Sequence, residues 1–449
     1  MNAGKKLNLF SFTMIVIGLV IGMGIFRTAT DSAKESLDPA IFFGAWIVGG
    51  LIALCGALTY AEIGSRYPVT GGYYKIFSLA YHPSIAFSIN SIILISNAAS
   101  LSGVALIGAG YISKVFLGSG ATDLIRAIIA MVAIILFYGI NLMGLKMSSR
   151  TQNILMAIKV SMLLLLVVAL LFPHLYVQTP ARLQPVSHTW KDYVLSFGAA
   201  LIAVSFTYGG YQQTINFGSE VDRPSKNIPR GIFIGIGIII LLYLTVNYSY
   251  YKVVGFDVLQ HRKPGEEVAA ILVGKMFGET GSNIFSTLLF LSVLAYVNVL
   301  LLSNPRVMLA MSEDRVLPNF LQIKSRRKNV PVASLTLFAA MCIVILFFAK
   351  TFEEILSFTI FLDCIGMVTS AATIFVLRKR TKHLDGTGIF KMKLFPLQPL
   401  IFISAYLFVG ISIAIKDYKT ALTGLSVLAA FLIIYFISKA FNTNNHDGT

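Results

Sequence analysis

Long apolar stretches alternate with short polar connections along almost all of the 449 residues. A helix needs about 20 apolar residues to cross the hydrocarbon core of a bilayer. Runs of that kind fall near 10–36, 41–61, 85–113, 125–143, 152–172, 193–217, 231–253, 282–304, 332–349, 353–377, 396–415 and 420–440. The pattern predicts an all-α integral membrane protein with twelve transmembrane helices. An even number of spans puts both termini on one side.

Two of the runs are interrupted. The first contains Ile17-Gly18-Leu19-Val20-Ile21-Gly22-Met23-Gly24-Ile25-Phe26-Arg27, with three glycines in seven residues and an arginine at its end. The sixth contains Phe206-Thr207-Tyr208-Gly209-Gly210-Tyr211. Glycine weakens a helix, and irregular backbone at membrane depth is tolerated only where protein buries it or it lines a cavity. Paired breaks at matching positions of two halves point to a midplane binding site in a carrier built from inverted repeats. On this reading residues 10–172 and 193–377 are two five-span repeats of opposite orientation, with discontinuous helices 1 and 6. Residues 396–440 are two accessory helices, and residues 1–9 and 441–449 are tails.

Composition agrees. Hydrophobic residues make up 56% and charged residues 12%, against about 25% charged in a soluble domain, so soluble folding is excluded. The net charge of +16 suits loops facing anionic lipid better than a nucleic acid in so apolar a chain. Lysine and arginine concentrate in the tail and alternate connections on the amino-terminal side, including Lys324-Ser325-Arg326-Arg327-Lys328 and Arg378-Lys379-Arg380. The positive-inside rule therefore predicts cytoplasmic termini in a cell (inner) membrane. The apolar run after Lys5 and Lys6 outlasts a signal-peptide core and has no small-residue cleavage site, so it reads as the first span. Cys55, Cys342 and Cys364 all fall in apolar runs, and the six histidines lie in connections without an H-E-x-x-H pattern. No metal, cofactor or disulfide framework is expected, and no Walker motif suggests ATP drive.

A break at Gly22-Met23-Gly24 frees N–H groups at the start of the outer half-helix, where the dipole also favours an anion such as a carboxylate. It frees carbonyls at the end of the inner half, which suit an ammonium. Together they match a zwitterion with both charges on one carbon. The competing explanation for Gly18 and Gly22, four apart, is close helix packing through small residues.

The runs "GMGIFRT" at 22–28, "LTYAEIGSRYPVTGGYYKIF" at 58–77, "FTYGGYQ" at 206–212 and "SEVDRPSKNIPRGI" at 219–232 resemble the amino acid–polyamine–organocation superfamily. Within it they are most similar to the L-type amino acid transporters and their bacterial relatives, over about residues 8–440. The resemblance implies the five-plus-five inverted repeat. It implies that the N–H groups of Met23 and Gly24 hold a substrate carboxylate, that carbonyls of Val20, Phe206 and Gly209 meet the ammonium, and that Phe206 is a lid. Met23 departs from the family's serine or threonine, and Tyr211 stands where the L-type motif has tryptophan. Eukaryotic relatives use a disulfide-linked heavy subunit. The connection Lys114–Leu124 has no cysteine, so no obligatory partner of that kind is expected.

Charges inside spans are expensive and functional by default. Lys159 lies roughly 12 Å of helix rise into span five. By the resemblance it occupies the place of a sodium ion and bonds the Gly18 carbonyl and Ser292, which implies sodium-independent transport. Asp363 in span ten and Arg27 after the first break are expected to pair as an outer gate. Glu62 and Arg66, with Glu220, Asp222, Arg223 and Arg230, are either exposed loop charges or an inner-gate network. No acidic residue is expected beside the breaks. The reading is a secondary carrier of neutral L-amino acids, by exchange or proton symport. The alternative is an amine or polyamine importer, which would lack the carboxylate those N–H groups serve. A channel would want a continuous polar path. A membrane enzyme is remote, since no nucleophile–base pair is seen.

Overall fold

A computed structural model describes residues 6–22, 24–118, 122–177, 188–261, 267–326, 328–348, 352–386 and 388–444. Among these residues every regular element is a helix, and strand pairing is confined to isolated bridges of Leu7 with Val221 and Thr70 with Phe217. The first apolar run is two helices, α1 (Leu9–Val20) and α2 (Gly24–Glu35). There follow α3 (Pro39–Arg66), the short α4 (Gly72–Ala80), α5 (Pro83–Leu117), α6 (Asp123–Leu142) and α7 (Leu145–Val168). The sixth run is α8 (Trp190–Tyr208) and a 3₁₀ turn over Tyr211–Asn216. Then come α9 (Pro224–Ser249), the short α10 (Phe256–Gln260), α11 (Val268–Glu313), α12 (Val332–Phe348), α13 (Phe352–Arg380), α14 (Leu397–Lys416) and α15 (Tyr418–Asn444). Nine helices among the described residues are long and apolar enough to cross a membrane, by length and composition. Every apolar run thus contains a helix, and the first and sixth are divided where their glycines cluster.

Local chemistry sets several of the ends. Asn8 Oδ1 accepts the Ser11 N–H at 2.8 Å and starts α1. Asp38 does the same for Ile41 at 2.9 Å, with Pro39 in the first turn of α3. Such caps contribute about 1 kcal/mol each. Inside α11, Gly278 at φ 69° bends the chain, so the residues before it run apart from the long apolar stretch that follows.

Burial orders the bundle. In α5, 83% of the apolar stretch is covered by protein, against 11% in α15. Helix α5 is therefore central, packed on α11, α13 and α12, while α15 lies at the rim. Helix α1 packs on α9 and α7, and α2 packs on α8. The two broken runs are thereby brought side by side.

Candidate functional site

The site begins where α1 runs out of helix. Ile21 leaves at φ −75°, ψ 83°, and the Gly22 N–H turns back to the Val20 carbonyl at 2.8 Å. Helix α2 restarts at Gly24, so the N–H groups of its first turn have no acceptor within the helix. The second break follows Tyr208, with Gly210 at φ 111° and its N–H on Gln212 Oε1 at 2.8 Å.

The two breaks touch, and glycine is what lets them. A Cβ on Gly210 would collide with the Leu19 carbonyl oxygen, and one on Gly24 would lie 2.8 Å from Oγ1 and Cγ2 of Thr207. The Tyr243 hydroxyl of α9 stands 3.5 Å from the Val20 carbonyl and 3.4 Å from the Thr207 carbonyl, between both breaks. Its ring sits edge-on to Trp46 at 5.8 Å and beside Tyr208 at 5.1 Å. Trp46 in turn donates its indole N–H to Ser32 Oγ at 3.1 Å. Sequence reasoning missed Tyr243, because nothing in the local run Ile239–Val246 sets it apart from core.

Lys159 is fully buried, and its Nζ donates to the Ile21 carbonyl at 2.5 Å. This corrects the expected bonds to Gly18 and Ser292. Ile21 is the first residue outside the helix, so its carbonyl needs an external donor. Gly18 instead faces Gln152, whose side-chain amide a Cβ there would strike. Ser292 Oγ is buried with no hydrogen-bond partner among the described residues.

A cavity of about 80 Å³ opens on the breaks and is lined by Val20, Gly22, Gly24, Gly209 and Gly210. Its polar wall comes from α5 and neighbours. Gln213 Nε2 donates to Asn97 Oδ1 at 2.9 Å, Asn97 Nδ2 donates to Asn304 Oδ1 at 2.7 Å, and the Ser100 and Tyr296 hydroxyls share a bond of 2.8 Å. Asp31 and Asp363 also line this cavity, which corrects the premise that no acid stands beside the breaks. Gly24, Thr28 and Asp31 follow at helical spacing and share one face of α2. Asp363 is brought in by the packing of α13 on α5 and accepts a hydrogen bond from Ser96 Oγ at 3.0 Å. Met23 and the side chains of Arg27 and Phe206 lie outside the described residues, so the expected gate pair and lid do too. Tyr211 turns away from the cavity, with its ring 5.9 Å from Tyr60 of α3.

Ion pairs cluster at the end of the bundle that carries the amino terminus. Glu62 is buried on α3 and accepts from Arg66 Nε at 2.7 Å, Arg378 Nε at 2.8 Å, Arg378 Nη2 at 2.7 Å and the Met392 N–H at 2.8 Å. Arg66 continues to Asp385 at 2.7 Å. The hydrogen bonds from Arg66 and Lys391 hold the Asp385 carboxyl below the ordinary aspartate range. Across the same end, Arg306 grips both carboxylate oxygens of Glu220 at 2.8–3.0 Å. The Leu7 N–H reaches the Glu220 carbonyl at 2.7 Å. Gly71, at φ 65°, lets the connection after α3 lie against the Arg306 backbone, where a Cβ would come within 2.5 Å of the carbonyl oxygen. Glu62, Arg66 and Glu220 are thus network residues, whereas Asp222, Arg223 and Arg230 are exposed.

The profile of the amino acid permease family matches residues 7–442. The serine/threonine exchanger SteT of Bacillus subtilis (strain 168) is 26% identical over an alignment that covers 96% of each chain. The branched-chain amino acid permease BcaP of the same organism is 24% identical, covering 96% of this chain and 92% of that one. The Asc-type amino acid transporter 1 of Mus musculus is 23% identical, covering 96% of this chain and 81% of its own. These relatives are transporters and not enzymes. A helical bundle whose two main-chain breaks meet at an internal cavity suits that company, and the chain belongs to the amino acid permease family.

Proposed function

We propose that the protein is a sodium-independent secondary carrier of neutral L-amino acids, working by exchange or proton symport with alternating access. The observation that carries this reading is the contact of the two breaks at one cavity. The N–H groups of Met23 and Gly24 take the α-carboxylate, and the carbonyls of Val20, Phe206 and Gly209 take the α-ammonium. No charged side chain is then needed to hold either pole. The Lys159 amino group occupies the place beside the Ile21 carbonyl and so leaves no room for a sodium ion there. Phe206 acts as a lid, and Arg27 belongs to the outer side of the path, while Asp363 stands in the cavity wall.

In this reading residues 10–172 and 193–377 are inverted repeats that rock against one another, and residues 396–440 are accessory. The ties of Glu62 and Glu220 then form the inner gate, with residues 1–9 and 441–449 at the cytoplasmic face of the inner membrane. The three cysteines sit in α3, α12 and α13, which fits a carrier that works without a disulfide-linked heavy subunit. Counterflow in sodium-free proteoliposomes tests the proposal. Unlabelled amino acid inside should drive accumulation, inside the vesicles, of labelled amino acid supplied outside. No uptake of any amino acid, with or without a proton gradient, would overturn it.

A further inference from the structure

Asp363 is an acidic side chain at the depth of the breaks. It lines the same cavity as Val20, Gly24 and Gly209. Its hydrogen-bond donor among the described residues is the Ser96 hydroxyl. The Ser96 hydroxyl meets Oδ1 alone, which leaves Oδ2 for a further hydrogen bond in the cavity. Isolated carboxylates are costly to hold away from water unless donors surround them.

A substrate held by its α-carbon at the two breaks projects its side chain into this same small space. The neighbouring wall contains Val104, Ile360 and Val409, which cannot donate. We propose that Asp363 is the side-chain specificity determinant, accepting a hydrogen bond from substrates whose side chain ends in a hydroxyl or a short ammonium. An apolar side chain of similar size strips water from the carboxylate and gives nothing back. A hydroxyl restores one bond, and an ammonium restores a bond and a charge. This inference rests on the amino acid carrier reading and widens it, from neutral side chains to a short cationic one.

The test is uptake by purified protein in proteoliposomes of serine, alanine and 2,4-diaminobutyrate, read as kcat/KM ratios within each variant so that the amount of folded carrier cancels. In the wild type, serine and 2,4-diaminobutyrate should each exceed alanine by about tenfold or more, the range of a hydrogen bond to a charged group. Asp363→Val should bring the serine-to-alanine ratio to about one. Asp363→Asn keeps an acceptor without the charge. It should retain much of the serine preference while losing that for 2,4-diaminobutyrate, and it carries the test alone if Asp363→Val does not reach the membrane. A wild-type serine-to-alanine ratio near one, or ratios unchanged by the substitutions, would overturn the assignment. Absence of all amino acid uptake by the wild type would instead defeat the carrier reading.

Discussion

Lys159 of α7 donates its buried ammonium to the carbonyl of Ile21, the residue at which the first span leaves its helix. The bond pins the loose end of α1 to α7, and in the proposed function it takes the place of a sodium ion. Uptake should therefore be unchanged when sodium is replaced by a large organic cation. Lys159→Ala strands the Ile21 carbonyl, a loss of about 1–3 kcal/mol, and transport should drop by at least about tenfold. Uptake that rises with a sodium gradient in the wild type, or normal rates in Lys159→Ala, would contradict the assignment.

Gly210 and Gly22 make a contrasting pair. A side chain on Gly210 meets main chain at a positive φ, whereas one on Gly22 would find the Tyr296 ring at an ordinary 3.6 Å. Strained backbone and overpacking each cost about 1–3 kcal/mol. Gly210→Ala should thus lower the melting temperature strongly and Gly22→Ala only slightly, read by thermal unfolding in detergent. Equal shifts would show that the close contact of the breaks is not what selects glycine.

Glu62 holds two guanidinium groups, from α3 and α13, in a buried pocket. Removing one partner from a buried ion pair costs about 3–5 kcal/mol. Glu62→Gln should loosen the end of the bundle at the amino terminus, measured as faster hydrogen exchange in the connections after α3 and α13. An exchange pattern indistinguishable from wild type would remove Glu62 from the gate.

Asp385 gives the pH dependence of that lock. Its carboxyl is held below the ordinary range, first by the bond from Arg66 and then by that from Lys391. A depressed carboxylate contributes stability above its unfolded value of about 3.9 and loses it as the pH falls through the lower folded value. The difference in melting temperature between wild type and Asp385→Asn should be flat through neutral pH and shrink only below about pH 4. A difference that changes between about pH 6 and 8 would point to another titrating partner.

The helices were legible because apolar runs of membrane length leave the backbone no alternative to intrahelical bonding. The breaks were legible because three glycines at 18, 22 and 24 and a pair at 209 and 210 stand out inside such runs. Contacts between distant segments were not. Lys159 was visible as a buried charge, but its acceptor depended on which carbonyl the kink at Ile21 exposes. Asp363 was placed outward of the substrate, and only the packing of α13 on α5 turns it into the cavity. Arg378 read as a topogenic charge, yet it lies 3.8 Å over the Phe395 ring and grips Glu62 from 316 positions away.

The central claim is that the main chain of two separate breaks holds both poles of one small zwitterion. Calorimetric titration of the purified protein with alanine, with ethylamine and with propionate tests it most directly. Alanine should bind, and the amine and the acid, each lacking one pole, should bind at least about 100-fold more weakly. Either fragment binding as tightly as alanine would contradict the account.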